Sequence, residues 1–136
     1  MTPRTSRSPG PVEFRLPPEP GSVSRARHEV RSFVEALGAD AQDVGLAVTE
    51  AVSNAVAHGF RDGRAGTIVV RVETLVPDTV AVTVSDDGLG ISPNLARQGL
   101  GLGLALIGRL SSDLEITSLR PHGTRVYMRF PLVRRD

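Results

Sequence analysis

The chain has 136 residues, 40% of them apolar, with 16 basic against 15 acidic side chains and a formal net charge of +1. That length suits one domain with one core, and the balanced charge excludes the basic footprint of a nucleic-acid binder or a membrane-surface patch. Every cationic side chain other than histidine is arginine, and cysteine is absent. Mechanisms built on a P-loop or Schiff-base lysine, a disulfide, a thiolate metal site or a cysteine nucleophile are therefore ruled out. No run approaches the roughly 18 apolar residues of a membrane span, and the first residues lack the apolar stretch of a signal peptide. The expectation is a cytoplasmic protein.

Residues 1–11 are rich in Pro, Ser, Thr, Arg and Gly, and read as a disordered lead-in. The domain is expected over 12–132, with 133–136 as a tail. Val12–Leu16 alternates apolar and charged residues and predicts an edge strand, stopped by Pro17, Pro18, Pro20 and Gly21. Ser22 or Ser24 is the expected cap of a helix running to about Leu37, burying Ala26, Val30, Phe33, Val34 and Leu37 and closed by Gly38. Asp40 is placed to cap the next helix.

That next helix, from Asp43 toward Gly59, is central. Val44, Ala47, Val48, Ala51, Val52, Ala55 and Val56 recur at helical spacing and form a broad apolar face. Glu50, Asn54 and His58 recur every fourth residue along a neighbouring stripe, so a carboxylate and a carboxamide one turn apart can meet a single ligand. The bland alternative is a solvated Glu, a satisfied Asn and a His favoured by the helix dipole. Residues 61–66 then read as an exposed turn. Thr67–Val76 and Val80–Asp86 predict strands joined at Pro77-Asp78. A helix is expected from Gly101 to Leu110, and strands over Asp113–Leu119 and Thr124–Leu132 with a turn at Pro121, His122 and Gly123. Strand, two helices, two strands, helix, two strands predicts an α/β two-layer sandwich: an antiparallel-rich sheet with helices on one face.

Two glycine-rich stretches carry the next observations. In DDGLG, Asp86, Gly88 and Gly90 lie just after a strand, where a carboxylate can accept a hydrogen bond from an exocyclic amine and the glycines let a flat ring approach. In GLGLGL, Gly99, Gly101 and Gly103 open a helix whose amides and positive end suit phosphate. Either stretch alone could be a turn or a hinge. The glycines recur every second residue with no βαβ unit around them, so this is not the dinucleotide fingerprint.

Taken in order, ExxxNAxxHG at Glu50–Gly59, DDGLGI at Asp86–Ile91 and GLGLGLALI at Gly99–Ile107 resemble the asparagine box and the two glycine boxes of the Bergerat-fold ATPases, which include histidine kinases, gyrase and MutL. GTRVYMRFPL at Gly123–Leu132 resembles their closing strand. The bare domain and close box spacing look most like the anti-sigma-factor serine/threonine kinases. No phospho-acceptor helix pair and no second, lysine-supplying domain accompanies the boxes.

The resemblance implies a Bergerat ATP-binding fold with ATP and Mg²⁺ as its ligands. Asn54 would coordinate Mg²⁺ and Glu50 would be the general base. Asp86 would bind the adenine amine, with Gly88 and Gly90 beneath the ring and Thr124 beside it. Gly99, Gly101 and Gly103, with Leu102 and Leu104 between and after them, would cradle the nucleotide. Residues 92–98 would be a very short lid, with Arg97 or Arg109 neutralising phosphate charge. The implied activity is phosphorylation of Ser or Thr on an anti-anti-sigma (STAS) partner, with sequestration of a sigma factor and a homodimer, and with no direct nucleic-acid or membrane contact. The alternative is a non-catalytic module that binds ATP and acts through protein contacts. Glu50 favours the enzyme, since a pure binder needs no base.

Overall fold

Alternating apolar residues pair across neighbouring strands and so decide which face of the sheet is buried. In the computed structural model, which describes residues 10–60, 62–90 and 101–134, the strands are β1 (Val12–Leu16), β2 (Ile68–Leu75), β3 (Thr79–Asp86), β4 (Asp113–Ser118) and β5 (Thr124–Pro131). They form one five-stranded sheet in the order β1-β2-β3-β5-β4, every neighbouring pair antiparallel. Val70, Val84 and Val126 stand side by side in one cross-strand row, and Val72, Val82 and Met128 in the next. All six are buried. Full burial of such side chains stabilises by about 1.5–3 kcal/mol each before chain entropy is counted. On the other side of the Val70 row, Ile68 is followed by Asp86 and Thr124. The buried face thus turns polar at one end.

The opposite face is charged and open. Arg71 pairs with Glu13 and Glu73, and Arg129 with Asp113. Exposed pairs of this kind add little to stability. The helices α1 (Gly21–Ala36), α2 (Gln42–Asn54) and α3 (Gly101–Leu110) cover the other face, with α2 packed against both of its neighbours and over β3. Val44, Ala47, Val48, Ala51 and Val52 of α2 are buried, as their spacing predicts. The two-layer α/β sandwich expected from the element order is the observed fold.

Helix ends depart from expectation in two places. Neither Ser22 nor Ser24 caps α1, because the cap position is Pro20 and makes no side-chain hydrogen bond. Ser22 already lies inside the first turn, so its hydroxyl donates back to the Pro17 carbonyl at 2.6 Å instead. Phe33 and Leu37 are half-buried rather than buried, Phe33 packing against the core from its margin. Gly38 does end the helix region with φ of +75°. The cap position of α2 is Ala41, with no side-chain cap bond; Asp40 stands one residue earlier than a cap, and its Oδ1 accepts the Gln42 amide at 2.8 Å. The central helix is not one regular helix. It is α-helical only to Asn54, and Ala55–Gly59 forms a π-helical turn. Such wide turns concentrate at functional sites, and this one begins beside Asn54.

Candidate functional site

The site lies where the apolar rows of the sheet give way to Asp86 and Thr124. These two residues stand directly opposite each other on β3 and β5 and are 8% and 6% exposed. Asp86 Oδ1 accepts the Gly88 amide at 2.9 Å. Burial lifts the Asp86 pKa above the ordinary carboxylate value; the Gly88 amide opposes that rise and the neighbouring Asp87 charge adds to it. A buried carboxylate with one oxygen occupied by backbone keeps capacity to accept from a ligand N–H.

Backbone packs on backbone around it. A Cβ on Gly88 would lie 2.2 Å from the Gly59 carbonyl oxygen, and one on Gly123 would lie 2.2 Å from the Asp86 carbonyl oxygen. Glycine is required at both positions, since no flexible side chain is there to move aside. The Leu89 amide donates to the Gly59 carbonyl at 2.7 Å. The end of the π-turn, the DDGLG loop and the start of β5 are thereby held together.

Glu50 and Asn54 project from α2 toward α3. A Cβ on Gly103 would sit 3.0 Å from Glu50 Oε2 and 3.0 Å from Asn54 Nδ2. Asn54 Nδ2 is buried and has no hydrogen-bond partner among the described residues, a costly state for an amide unless a ligand completes it. Between Asn54 and Asp86 lies a pocket of about 30 Å³, partly open to solvent. Val84, Val126 and Leu104 form apolar walls, and Asn54, His58, Asp86 and Thr124 supply polar groups, with Gly90 at the margin. One apolar slot with a few converging polar groups suits a flat heteroaromatic ring joined to a polar chain. Among the described residues no group of three or more His, Cys, Asp or Glu is placed to hold a metal by itself. A metal would have to share its coordination with ligand oxygens, as Mg²⁺ does with phosphates.

The model of the histidine kinase-like ATPase domain matches residues 16–130. The chain belongs to that ATPase family. Family membership implies ATP binding. The chain is 30% identical over 122 residues to the anti-sigma F factor of Clostridium novyi, a match covering 78% of this chain and 83% of that protein. It is 32% identical over 120 residues to the anti-sigma F factor of Bacillus licheniformis, covering 77% and 81%. In structure it resembles the RsbU and RsbW domains of a Mycobacterium tuberculosis protein, with a TM-score of 0.70 and 24% identity, across 93% of this chain and 34% of that one. The histidine kinase domain of a blue-light activated kinase from Erythrobacter litoralis gives a TM-score of 0.59 and 26% identity, across 82% of this chain and 60% of that one.

Of the residues marked in the sequence, Asn54, Asp86, Gly90 and Thr124 line the pocket; Glu50 and Gly103 meet beside Asn54, and Gly88 packs on Gly59 behind Asp86. Leu104 lines the pocket, whereas Leu102 is 80% exposed and stands outside it. Gly101 opens α3. Gly99, Arg97 and the expected lid over 92–98 lie outside the described residues. Arg109 sits in the last turn of α3, about 12 Å along the axis from the helix start, so it does not face phosphates bound at that start.

Two contributors went unmarked by the sequence reading. Asp87, the second acid of DDGLG, accepts the Thr67 amide at 2.8 Å and ties the loop to the start of β2. His122 in the β4–β5 turn approaches the Gly88 carbonyl. Adjacent aspartates in a loop do suggest a division of labour, one inward and one tying backbone. Nothing in the local pattern signals the histidine.

Proposed function

We propose that the protein is an ATP-dependent serine/threonine kinase that phosphorylates an anti-anti-sigma (STAS) partner and sequesters a sigma factor when that partner is phosphorylated. The single observation that carries the reading is that one pocket is lined by both Asn54 and the buried Asp86, with Glu50 and Gly103 close beside Asn54. A general base, a metal-capable amide and a carboxylate able to read a nucleobase thus belong to one site. The names of the anti-sigma F relatives support the regulatory setting.

Asp86 accepts the adenine amine and Thr124 supports it from the adjacent strand. The buried Asn54 amide, whose Nδ2 has no partner among the described residues, fits a Mg²⁺-triphosphate: Asn54 would hold the metal and share it with phosphate oxygens. When bound, Mg²⁺ supplies neutralisation of phosphate charge. The N-terminal amides of α3 complement that charge. Glu50 takes the proton of the partner's hydroxyl as its oxygen bonds to the γ-phosphorus, the bond to the β-phosphate oxygen breaks and ADP leaves. The new phosphoryl group adds roughly two negative charges to the partner, enough to break a packed interface. A homodimer, as in the resembling kinases, is part of the proposal.

The test is intact-mass detection of the partner after incubation with Mg²⁺ and ATP. Addition of one phosphoryl group by the wild type and none by Glu50→Ala, at equal nucleotide affinity, is the expected result. Nucleotide binding without transfer to any hydroxyl of the partner would instead favour a non-catalytic ATP-binding module.

A further inference from the structure

The peptide unit between Gly88 and Leu89 is gripped at both of its poles. Its N–H, on Leu89, donates to the Gly59 carbonyl at 2.7 Å, at the end of the π-turn that continues the helix bearing Glu50 and Asn54. Its C=O, on Gly88, lies 3.0 Å from His122 Nδ1 in the turn that leads into Thr124. A carbonyl oxygen can only accept, so Nδ1 carries the proton and donates. The same turn is pressed on the loop elsewhere: a Cβ on Gly90 would be 3.4 Å from the Gly123 carbonyl oxygen.

We propose that His122 is a positioning residue for the base end of the pocket, acting through the Gly88 carbonyl to fix the DDGLG loop against which the nucleobase rests. The inference rests on the ATP-site reading above. Gly88 is conformationally the freest residue type and donates its own amide to Asp86 Oδ1. Rotation of the Gly88–Leu89 plane would shift Gly90, which lines the pocket, and strain the adjoining Gly88 amide's hydrogen bond to the carboxylate. The Gly59 contact holds one edge of that plane; a single hydrogen bond leaves a hinge, and the imidazole closes it. His122 itself is exposed and outside the apolar core, so its replacement removes the clamp without opening a cavity. The contact runs from a side chain of the β4–β5 turn to the loop, so it also couples β5, and hence Thr124, to base recognition.

The experiment compares wild type, His122→Ala and His122→Asn by calorimetric titration with Mg²⁺-ADP and Mg²⁺-GDP, alongside thermal unfolding. Loss of one clamping hydrogen bond should weaken ADP binding roughly five- to tenfold in His122→Ala. The preference for ADP over GDP should narrow, and the unfolding midpoint should stay near that of the wild type. Asparagine places an amide N–H close to the Nδ1 position, so His122→Asn should bind ADP within about twofold of wild type. ADP binding by His122→Ala equal to wild type overturns the inference and leaves the ATP site standing. So does a His122→Asn variant as weak as the alanine, since that would tie the effect to the ring and not to the donated hydrogen bond. A wild type that binds neither nucleotide overturns the ATP-site reading and this inference together.

Discussion

Gly103 and Asn54 are packed so closely across the α2–α3 interface that a Cβ at 103 would stand 3.0 Å from Asn54 Nδ2, with Glu50 Oε2 equally near. Both neighbours are the tips of side chains that can swing away. Alanine is also worth up to about 1 kcal/mol over glycine inside a helix. Gly103→Ala should therefore leave the thermal unfolding midpoint unchanged or raise it by a few degrees, while lowering nucleotide affinity and phosphoryl transfer at least tenfold. Parallel melts and titrations check the split between stability and function.

Gly88→Ala should behave in the opposite way. There the added carbon would meet the Gly59 carbonyl oxygen at 2.2 Å, and that atom belongs to the backbone of the π-turn. Relief requires moving one of two main chains joined by the Leu89–Gly59 hydrogen bond. We expect a loss of about 2 kcal/mol or more in unfolding free energy, measured by denaturant titration, together with loss of nucleotide binding.

Asp86 gives a pH dependence with a defined sign. Burial raises its pKa from 3.8 in the folded chain, so just above that value the folded state holds more protons than the unfolded state. Its carboxyl therefore costs nothing below the unfolded pKa and destabilises increasingly as pH rises through the folded pKa, after which the cost is constant. Asp86→Asn should be more stable than wild type near neutral pH, by on the order of 1 kcal/mol, with the difference shrinking as pH falls toward 4. Adenine recognition needs the ionised acceptor, so wild-type affinity for ATP should fall over the same acid range. Melts and titrations across pH test both.

Asp87→Ala addresses the other acid of the loop. It removes the acceptor of the Thr67 amide and should cost about 0.5–1.5 kcal/mol of stability. Denaturant midpoints measure the loss. Nucleotide affinity should fall less than for Asp86→Asn, because Asp87 ties backbone and does not line the pocket.

Much of this fold can be read locally. Val12–Leu16 and Gly101–Leu110 are observed with the bounds their patterns predict, because period and breakers agree there. The hairpins β2–β3 and β4–β5 are equally plain. The pairing of β3 with β5 is not, since it joins strands separated by a whole helix. Yet that pairing alone sets Asp86 beside Thr124. The π-turn after Asn54 is also invisible locally: Ala55, Val56 and Ala57 suit an α-helix, and the wider turn arises where Gly59 must meet Gly88 and Leu89. Ser22 has the chemistry of a cap and the wrong position, because Pro20 starts the helix before it. His122 gains its part only through the Gly88 carbonyl, 34 residues earlier in the chain.

The most direct measurement is a calorimetric titration of Mg²⁺-ATP into the wild type and into Asp86→Asn. We expect one site in the wild type and a loss of at least tenfold in the variant, with both proteins folded. Equal binding by the two would contradict the assignment of the base end of the pocket, and no binding by the folded wild type would contradict the ATP site itself.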